Sequence, residues 1–219
     1  MGDGTQPLCS ATVDSVRAFL FDMDGTLVDS DAAVERAWTR WAAEYAVDPE
    51  VVLAVAHGVP SDATVARVRP DLSAADARVA SLRQLELQYD DLVDVVACPG
   101  AHELLAAVEA AGIPWAVVTS ADDRLAANRL GAAGIVAPLL VTVDDVTVDG
   151  VVHGKPDPEG YLLAARELGV DPRECLVVED SPGGVRAGRA AGATVAGLKG
   201  VEADLALTSL LDLLPHVTR

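Results

Sequence analysis

Lysine is nearly missing from this chain: Lys155 and Lys199 are its only two, among 16 basic residues set against 34 acidic ones. The resulting net charge of −18 repels phosphate backbones and excludes nucleic acid as a natural partner. The same bias favours solubility, and against it each of the two lysines stands out as a candidate for a specific role. No uninterrupted apolar run approaches the ~20 residues of a membrane span, so no membrane partner is expected. The opening segment MGDGTQPLCSATVD lacks a basic stretch followed by an apolar one, so no secretory leader is expected and a cytoplasmic location is. Cysteine is scarce and odd in number. Cys9, Cys98 and Cys175 show no metal-ligand spacing and cannot form a full disulfide framework, which leaves Cys98 and Cys175 as buried apolar fillers. Internal repeats and low-complexity linkers are absent, so 219 residues suit one medium domain or a core with a smaller accessory domain.

What is present is organised around residues 16–30, VRAFLFDMDGTLVDS. The run Ala18-Phe19-Leu20-Phe21 is apolar on both faces, as a buried parallel strand must be, and it ends abruptly in Asp22 and Asp24. Alternation along a strand sends these carboxylates to opposite faces unless the chain turns, and Gly25 supplies the freedom to turn. Two carboxylates brought together repel, so they invite a divalent cation or a shared proton.

For some sixty residues the pattern then becomes helical. Ser30 or Asp31 caps a helix whose Val34, Ala37, Trp38, Trp41, Ala42 and Tyr45 recur at 3.6-residue spacing. Asp48-Pro49 starts a short helix that stops at His57-Gly58, Ser61 opens a third that Pro70 breaks, and Ser73 with Asp76 resembles a capping box. The helix this box starts places Val79, Leu82, Leu85 and Tyr89 along one side. Residues 31–94 contain nothing that reads as strand. From Cys98 onward helices and strands alternate: helix 101–111, strand 114–119, helix 122–133, strand 139–143, a hairpin signal at Asp149-Gly150, a helix from Asp157-Pro158, strand 175–178, a helix from Ser181, and strand 194–197. Such alternation predicts an α/β fold, a doubly wound parallel sheet with helices on both faces, interrupted after its first strand by an all-helical insert.

Parallel strands deliver their C-terminal ends to one edge, where open α/β sheets bind ligands. Those ends carry Asp22 and Asp24, then Thr119-Ser120, then Lys155 in HGKPDP, then Glu179-Asp180. Singly, each has an ordinary explanation as a cap, a surface lysine or a helix N-terminal acid pair. Together they assemble what phosphoryl transfer needs: a nucleophile, a proton donor and acceptor, a counter-cation and donors for the phosphoryl oxygens.

FDMDGT, AVVTS, HGKPDP and VVEDSPGG resemble, in this order, the four motifs of the haloacid dehalogenase superfamily, most of whose members are magnesium-dependent phosphatases. The resemblance spans residues 16 to 190. It implies Asp22 as the nucleophile that forms an aspartyl-phosphate, and Asp24 as the group that protonates the leaving alcohol and later activates water. Thr119, Ser120 and Lys155 would hold the transferring phosphoryl group. Asp22, the Asp24 carbonyl and Asp180 would bind Mg²⁺, with Glu179 a ligand or the holder of an ordered water. Residues 1–30 and 95–219 would form the catalytic core and 31–94 an α-helical cap that selects the substrate.

Within that insert His57-Gly58 resembles the HG of relatives acting on small sugar or polyol phosphates, and reads equally as a helix C-terminal histidine facing the dipole. Arg67 and Arg69 are solvated helix residues unless they reach the substrate. No lysine lies in the insert, unlike the phosphonate-cleaving branch, and Asp24 is the second aspartate that the dehalogenase branch lacks. Thr26 and Val34 stand where phosphoglucomutases of the family usually have Val and a hinge histidine, so hydrolysis is favoured over mutase chemistry. The expected partner is a small phosphorylated metabolite, with sugar or polyol phosphates first and phosphoglycolate second. A phospho-accepting regulatory domain combines similar residues on an α/β sheet, but it would need neither this length nor the insert.

Overall fold

In the computed structural model, residues 16–56, 59–148 and 151–217 are described. The chain divides into two compact units: one is residues 1–29 with 96–219, the other Ser30–Val95.

The first unit is built on a six-stranded sheet. β1 (Ala18–Phe21), β4 (Trp115–Val118), β5 (Leu140–Val141), β8 (Cys175–Glu179), β9 (Thr194–Gly197) and β10 (Leu205–Ala206) lie in the order β10-β9-β8-β1-β4-β5, and every pairing is parallel. β1 is near the middle, in register with Trp115 to Val117 on one side and Cys175 to Val178 on the other. Its four residues are wholly buried, because both sheet faces are covered. Leu20, Val118, Val177 and Val195 pack with Tyr161, Ala164 and Ala165 of α7 (Glu159–Leu168) and Val185 and Ala187 of α8 (Pro182–Ala191). Phe19, Phe21 and Trp115 belong to the opposite face by alternation; the two Phe rings stack at 5.6 Å and Trp115 meets Phe21 edge-on at 6.0 Å. Helices α5 (Ala101–Ala110) and α6 (Asp123–Ala132) complete the alternation, and Asp122 caps α6 by accepting from Leu125 N at 2.8 Å.

Two small antiparallel pairs accompany the sheet. β2 (Val28–Asp29) pairs with β3 (Val96–Ala97), so the chain leaves this unit after β2 and re-enters it at β3. β6 (Thr147–Val148) pairs with β7 (Val151–Val152) around Asp149-Gly150, the hairpin signal, which itself lies outside the described residues. Cys175 is buried as expected, whereas Cys98 is only partly buried: it follows the two-residue β3 rather than lying in a sheet strand.

Among its described residues the Ser30–Val95 unit has helices and no strand: α1 (Asp31–Glu44), α2 (Pro49–Ala56), α3 (Ser61–Val68) and α4 (Ala74–Tyr89). The face of α1 forms as its period predicts: Ala37, Trp38, Trp41 and Ala42 are buried, and Trp41 stacks on Tyr45 at 4.6 Å. The face of α4 forms only in part. Leu85 and Tyr89 are half-buried, but Val79 and Leu82 are exposed at 61% and 49%, and the buried positions are Ala80, Gln84, Leu87 and Gln88. The reason lies in Trp41, whose indole N–H donates to Ala80 O at 2.8 Å; the small Ala80 admits the ring against the α4 backbone. Gln88 Nε2 donates to Gln84 Oε1 at 2.8 Å, which lowers the cost of burying both amides. The expected capping box is half formed: Ser73 Oγ accepts from Asp76 N but donates to the Asp76 carboxylate itself. Arg69 is held within the unit by Asp71 and the Tyr45 carbonyl, Arg67 is exposed, and His57-Gly58 lies outside the described residues.

Candidate phosphoryl-transfer site

Asp22 is the first residue past β1, and its backbone N still donates to Val178 O at 3.0 Å, which pins it to the sheet edge. The chain then turns sharply. Leu27 N and Val28 N both donate to Met23 O at 2.9 Å, and Gly25 N donates to Val28 O at 2.8 Å. Gly25 has φ +84°, and a Cβ there would overlap the Asp180 carboxylate, so the turn needs glycine twice over.

Lys155 Nζ is the hub. It donates to Asp22 Oδ1 at 2.5 Å, Glu179 Oε1 at 2.7 Å and Val118 O at 2.9 Å, and lies 5.1 Å from the Tyr161 ring centre. Burial alone pulls Lys155 down, but Asp22 and Glu179 outweigh it and raise its pKa well above the ordinary value, so it stays charged. Burial raises Asp22 well above the usual carboxylate range; Lys155 opposes this, and the charges of Glu179 and Asp180 add to it. Glu179 is fully buried, and its depressed pKa shows that Lys155, Tyr161 and Ser181 overcome the desolvation that would raise it. Its Oε1 accepts from Lys155 and Tyr161, and its Oε2 from Asp180 N, Ser181 N and Ser181 Oγ. Five donors saturate a carboxylate that offers about four lone-pair sites. Gly184 lets this happen, since a Cβ there would collide with Glu179.

Asp180 faces Lys199 at 3.2 Å, and burial raises its pKa despite that lysine. Lys199 takes φ +52° just beyond β9, so both lysines of the chain serve this cluster. Oxygens of Asp22, Glu179 and Asp180 all lie within 4.8 Å of one another. With all three carboxylates ionised, two ammonium groups leave one negative charge uncompensated, which would repel a phosphate dianion. An all-oxygen donor set with surplus negative charge suits a hard divalent cation. Since Glu179 is saturated, Asp22 and Asp180 are the carboxylates suited to direct ligation.

Thr119 is buried just past β4; its Oγ1 accepts from Ala121 N at 3.1 Å, and it lines one small cavity with Lys155 and Tyr161. Ser120, the next residue, is exposed. The Asp24 carboxylate is met by Arg129, whose NH1 lies 2.7 Å from its Oδ2. Glu179 is the last residue of β8, paired with Gly197, so it stands at the strand end as expected. One placement differs from expectation. Lys155 follows the β6–β7 hairpin, so a loop delivers it and not a strand of the sheet.

The motifs do not reveal Tyr161 or Arg129, and Lys199 stands out in the sequence only by its rarity. The signal for Arg129 is a charged residue on the apolar stripe Leu125, Ala126, Leu130 of α6. For Tyr161 it is a phenol on the core face of a helix, where its hydroxyl must find a partner.

The family model for haloacid dehalogenase-like hydrolases matches residues 16–192. Hexitol phosphatase A of Escherichia coli is 42% identical over 91% of this chain and 90% of its own length. 2-Deoxyglucose-6-phosphate phosphatase 1 of Saccharomyces cerevisiae is 32% identical over 82% of this chain and 78% of its own. Among solved structures, a β-phosphoglucomutase from Clostridium difficile superposes with a TM-score of 0.75, covering 90% of this chain and 93% of its own at 21% identity, a likeness of fold.

Proposed function

The chain belongs to the haloacid dehalogenase-like hydrolases and is a phosphatase, and from that premise we propose a Mg²⁺-dependent, cytoplasmic phosphomonoesterase acting on sugar or polyol phosphates, with phosphoglycolate the next candidate. The observation that carries the reading is Lys155, fixed between Asp22 and Glu179 at the edge of the sheet. An Asp22 oxygen attacks phosphorus, forming an aspartyl-phosphate as the ester P–O bond breaks, and Asp24 gives its proton to the departing alkoxide. Asp24, now a carboxylate, takes a proton from water as that water attacks phosphorus, which releases phosphate and restores Asp22. Lys155, the Thr119 hydroxyl and the Ser120 N–H hold the phosphoryl oxygens. Asp22, the Asp24 carbonyl and Asp180 would hold Mg²⁺, with Glu179 fixing Lys155. Bound there, the cation offsets the carboxylates and the incoming phosphate. The Ser30–Val95 unit serves as the cap that selects the substrate, with His57 and Gly58 among its specificity residues.

The names of the relatives support sugar and polyol esters, because two phosphatases above 30% identity act on a hexitol phosphate and a deoxyhexose phosphate by their names. The mutase alternative has only a likeness of fold behind it. The test is phosphate release from a panel of sugar, polyol and two-carbon phosphates, with and without Mg²⁺, beside an Asp22→Asn control. Metal-dependent release that disappears in the control supports the reading. Conversion of glucose 1-phosphate to glucose 6-phosphate without release would replace it with the mutase.

A further inference from the structure

We propose that Arg129 is a positioning residue for Asp24, holding that carboxylate where it exchanges protons with the leaving group and with water. The proposal rests on the acid–base role given to Asp24 above. Arg129 is 3% exposed and stands on the core face of α6 with Leu125, Ala126 and Leu130. A guanidinium cannot shed its proton, so its burial is costly unless a carboxylate meets it, and Asp24 Oδ2 does so at 2.7 Å. A buried ion pair of this kind seldom exceeds an apolar pair in stability, so its presence points to something other than stability. The two sides of the contact differ in rigidity. α6 is anchored at its start by the Asp122 cap, whereas Asp24 sits in the turn after β1 with its side chain 30% exposed. The turn fixes the Asp24 backbone through the Met23 and Val28 hydrogen bonds. Arg129 acts on the side chain, because it combines a permanent charge with a rigid mount.

The chemistry supplies a readout that a merely structural arginine would not move. An alkoxide leaving group must receive a proton as the ester bond breaks, whereas p-nitrophenolate leaves without one. Transfer of the phosphoryl group to Asp22 therefore depends on Asp24 for a polyol phosphate and hardly at all for p-nitrophenyl phosphate. The experiment measures single-turnover phosphoryl transfer from glycerol phosphate and from p-nitrophenyl phosphate. It compares wild type, Arg129→Met, Arg129→Lys, Asp24→Asn and the variant carrying both Asp24→Asn and Arg129→Met, with thermal midpoints throughout. Since general acid–base catalysis contributes about 10²–10⁴-fold and a misplaced group forfeits much of it, Arg129→Met should slow glycerol phosphate by about 100-fold and p-nitrophenyl phosphate by under about 10-fold. Arg129→Lys, which keeps the charge and tests the site should the methionine variant not fold, should recover part of the loss. In the Asp24→Asn background Arg129→Met should add nothing further. Equal slowing of the two esters, or full additivity with Asp24→Asn, would overturn the positioning role and leave the phosphatase reading standing. A wild type that releases phosphate from neither ester, nor from any sugar, polyol or two-carbon phosphate of the panel above, would overturn both.

Discussion

The sheet unit and the helical unit take opposite approaches to polar groups in their interiors. In the first, buried charge is concentrated in a set of side chains that answer one another, Asp22, Lys155, Glu179 and Tyr161. In the second, the interior holds an aromatic cluster of Trp38, Trp41 and Tyr45 and a pair of glutamines bonded to each other, while its ion pairs lie toward the surface. The contrast separates a unit organised for chemistry from one organised for packing. Substitutions in the first should therefore remove activity, and substitutions in the second should remove stability.

The largest effect is expected at Gly184. Its replacement by alanine forces a Cβ into the Glu179 carboxylate, which must move and carry Lys155 with it. Turnover of p-nitrophenyl phosphate should fall by about 100-fold, the scale of a misplaced catalytic group; activity within twofold of wild type would show that Glu179 does not position Lys155. In the helical unit Trp41→Ala removes a fully buried ring and its hydrogen bond to Ala80 O, at a cost of about 3–5 kcal/mol by chemical denaturation. A sharper contrast lies within one helix. Leu87→Ala should cost about 2–5 kcal/mol, whereas Leu82→Ala, at an exposed position, should stay within about 0.5 kcal/mol. Equal costs would mean that the exposed stripe of α4 is covered in solution.

The smallest effect is electrostatic. Arg36 grips Asp91 and Asp94, and its hydrogen bonds hold both carboxyls below their ordinary 3.8. Depressed carboxylate pKa values add stability that is present above pH 3.8 and lost as pH falls through the folded-state values. Arg36→Ala should lower the thermal midpoint slightly near neutral pH, and the gap should close well below pH 3.8. A gap that persists in acid would assign the effect to packing of the arginine stem.

The same contrast governs what could be read from the sequence. The sheet and most of its site were legible because chain geometry leaves few options: an apolar run buried on both faces must be an interior strand, and parallel strands must present their ends together. Asp22, Thr119 and Asp180 follow from that rule. Lys155 is recognisable by its motif, although a loop after an intervening hairpin brings it in. Arg129 and Tyr161 were not legible, because a side chain that reaches the site from a helix's core face leaves only a polar atom in an apolar stripe. On α4 the helical period is right and the buried face is displaced from the one the apolar residues mark, with Leu85 and Tyr89 half-buried at its margin. Ala80, Gln84 and Gln88 look indifferent in a pattern of apolar residues, yet they are what Trp41 and each other's amides require.

The central claim is that Asp22 carries the phosphoryl group, and the most direct measurement is to trap it there. An Asp24→Ala variant mixed with p-nitrophenyl phosphate and Mg²⁺ lets nitrophenolate depart unaided but leaves water without its base, so the intermediate should accumulate. After acid quench and peptide mapping by mass spectrometry, the account predicts phosphate on the peptide containing Asp22, approaching one per chain and matching the burst of nitrophenolate. A burst with no phosphorylated peptide, or phosphate on a different residue, would contradict it.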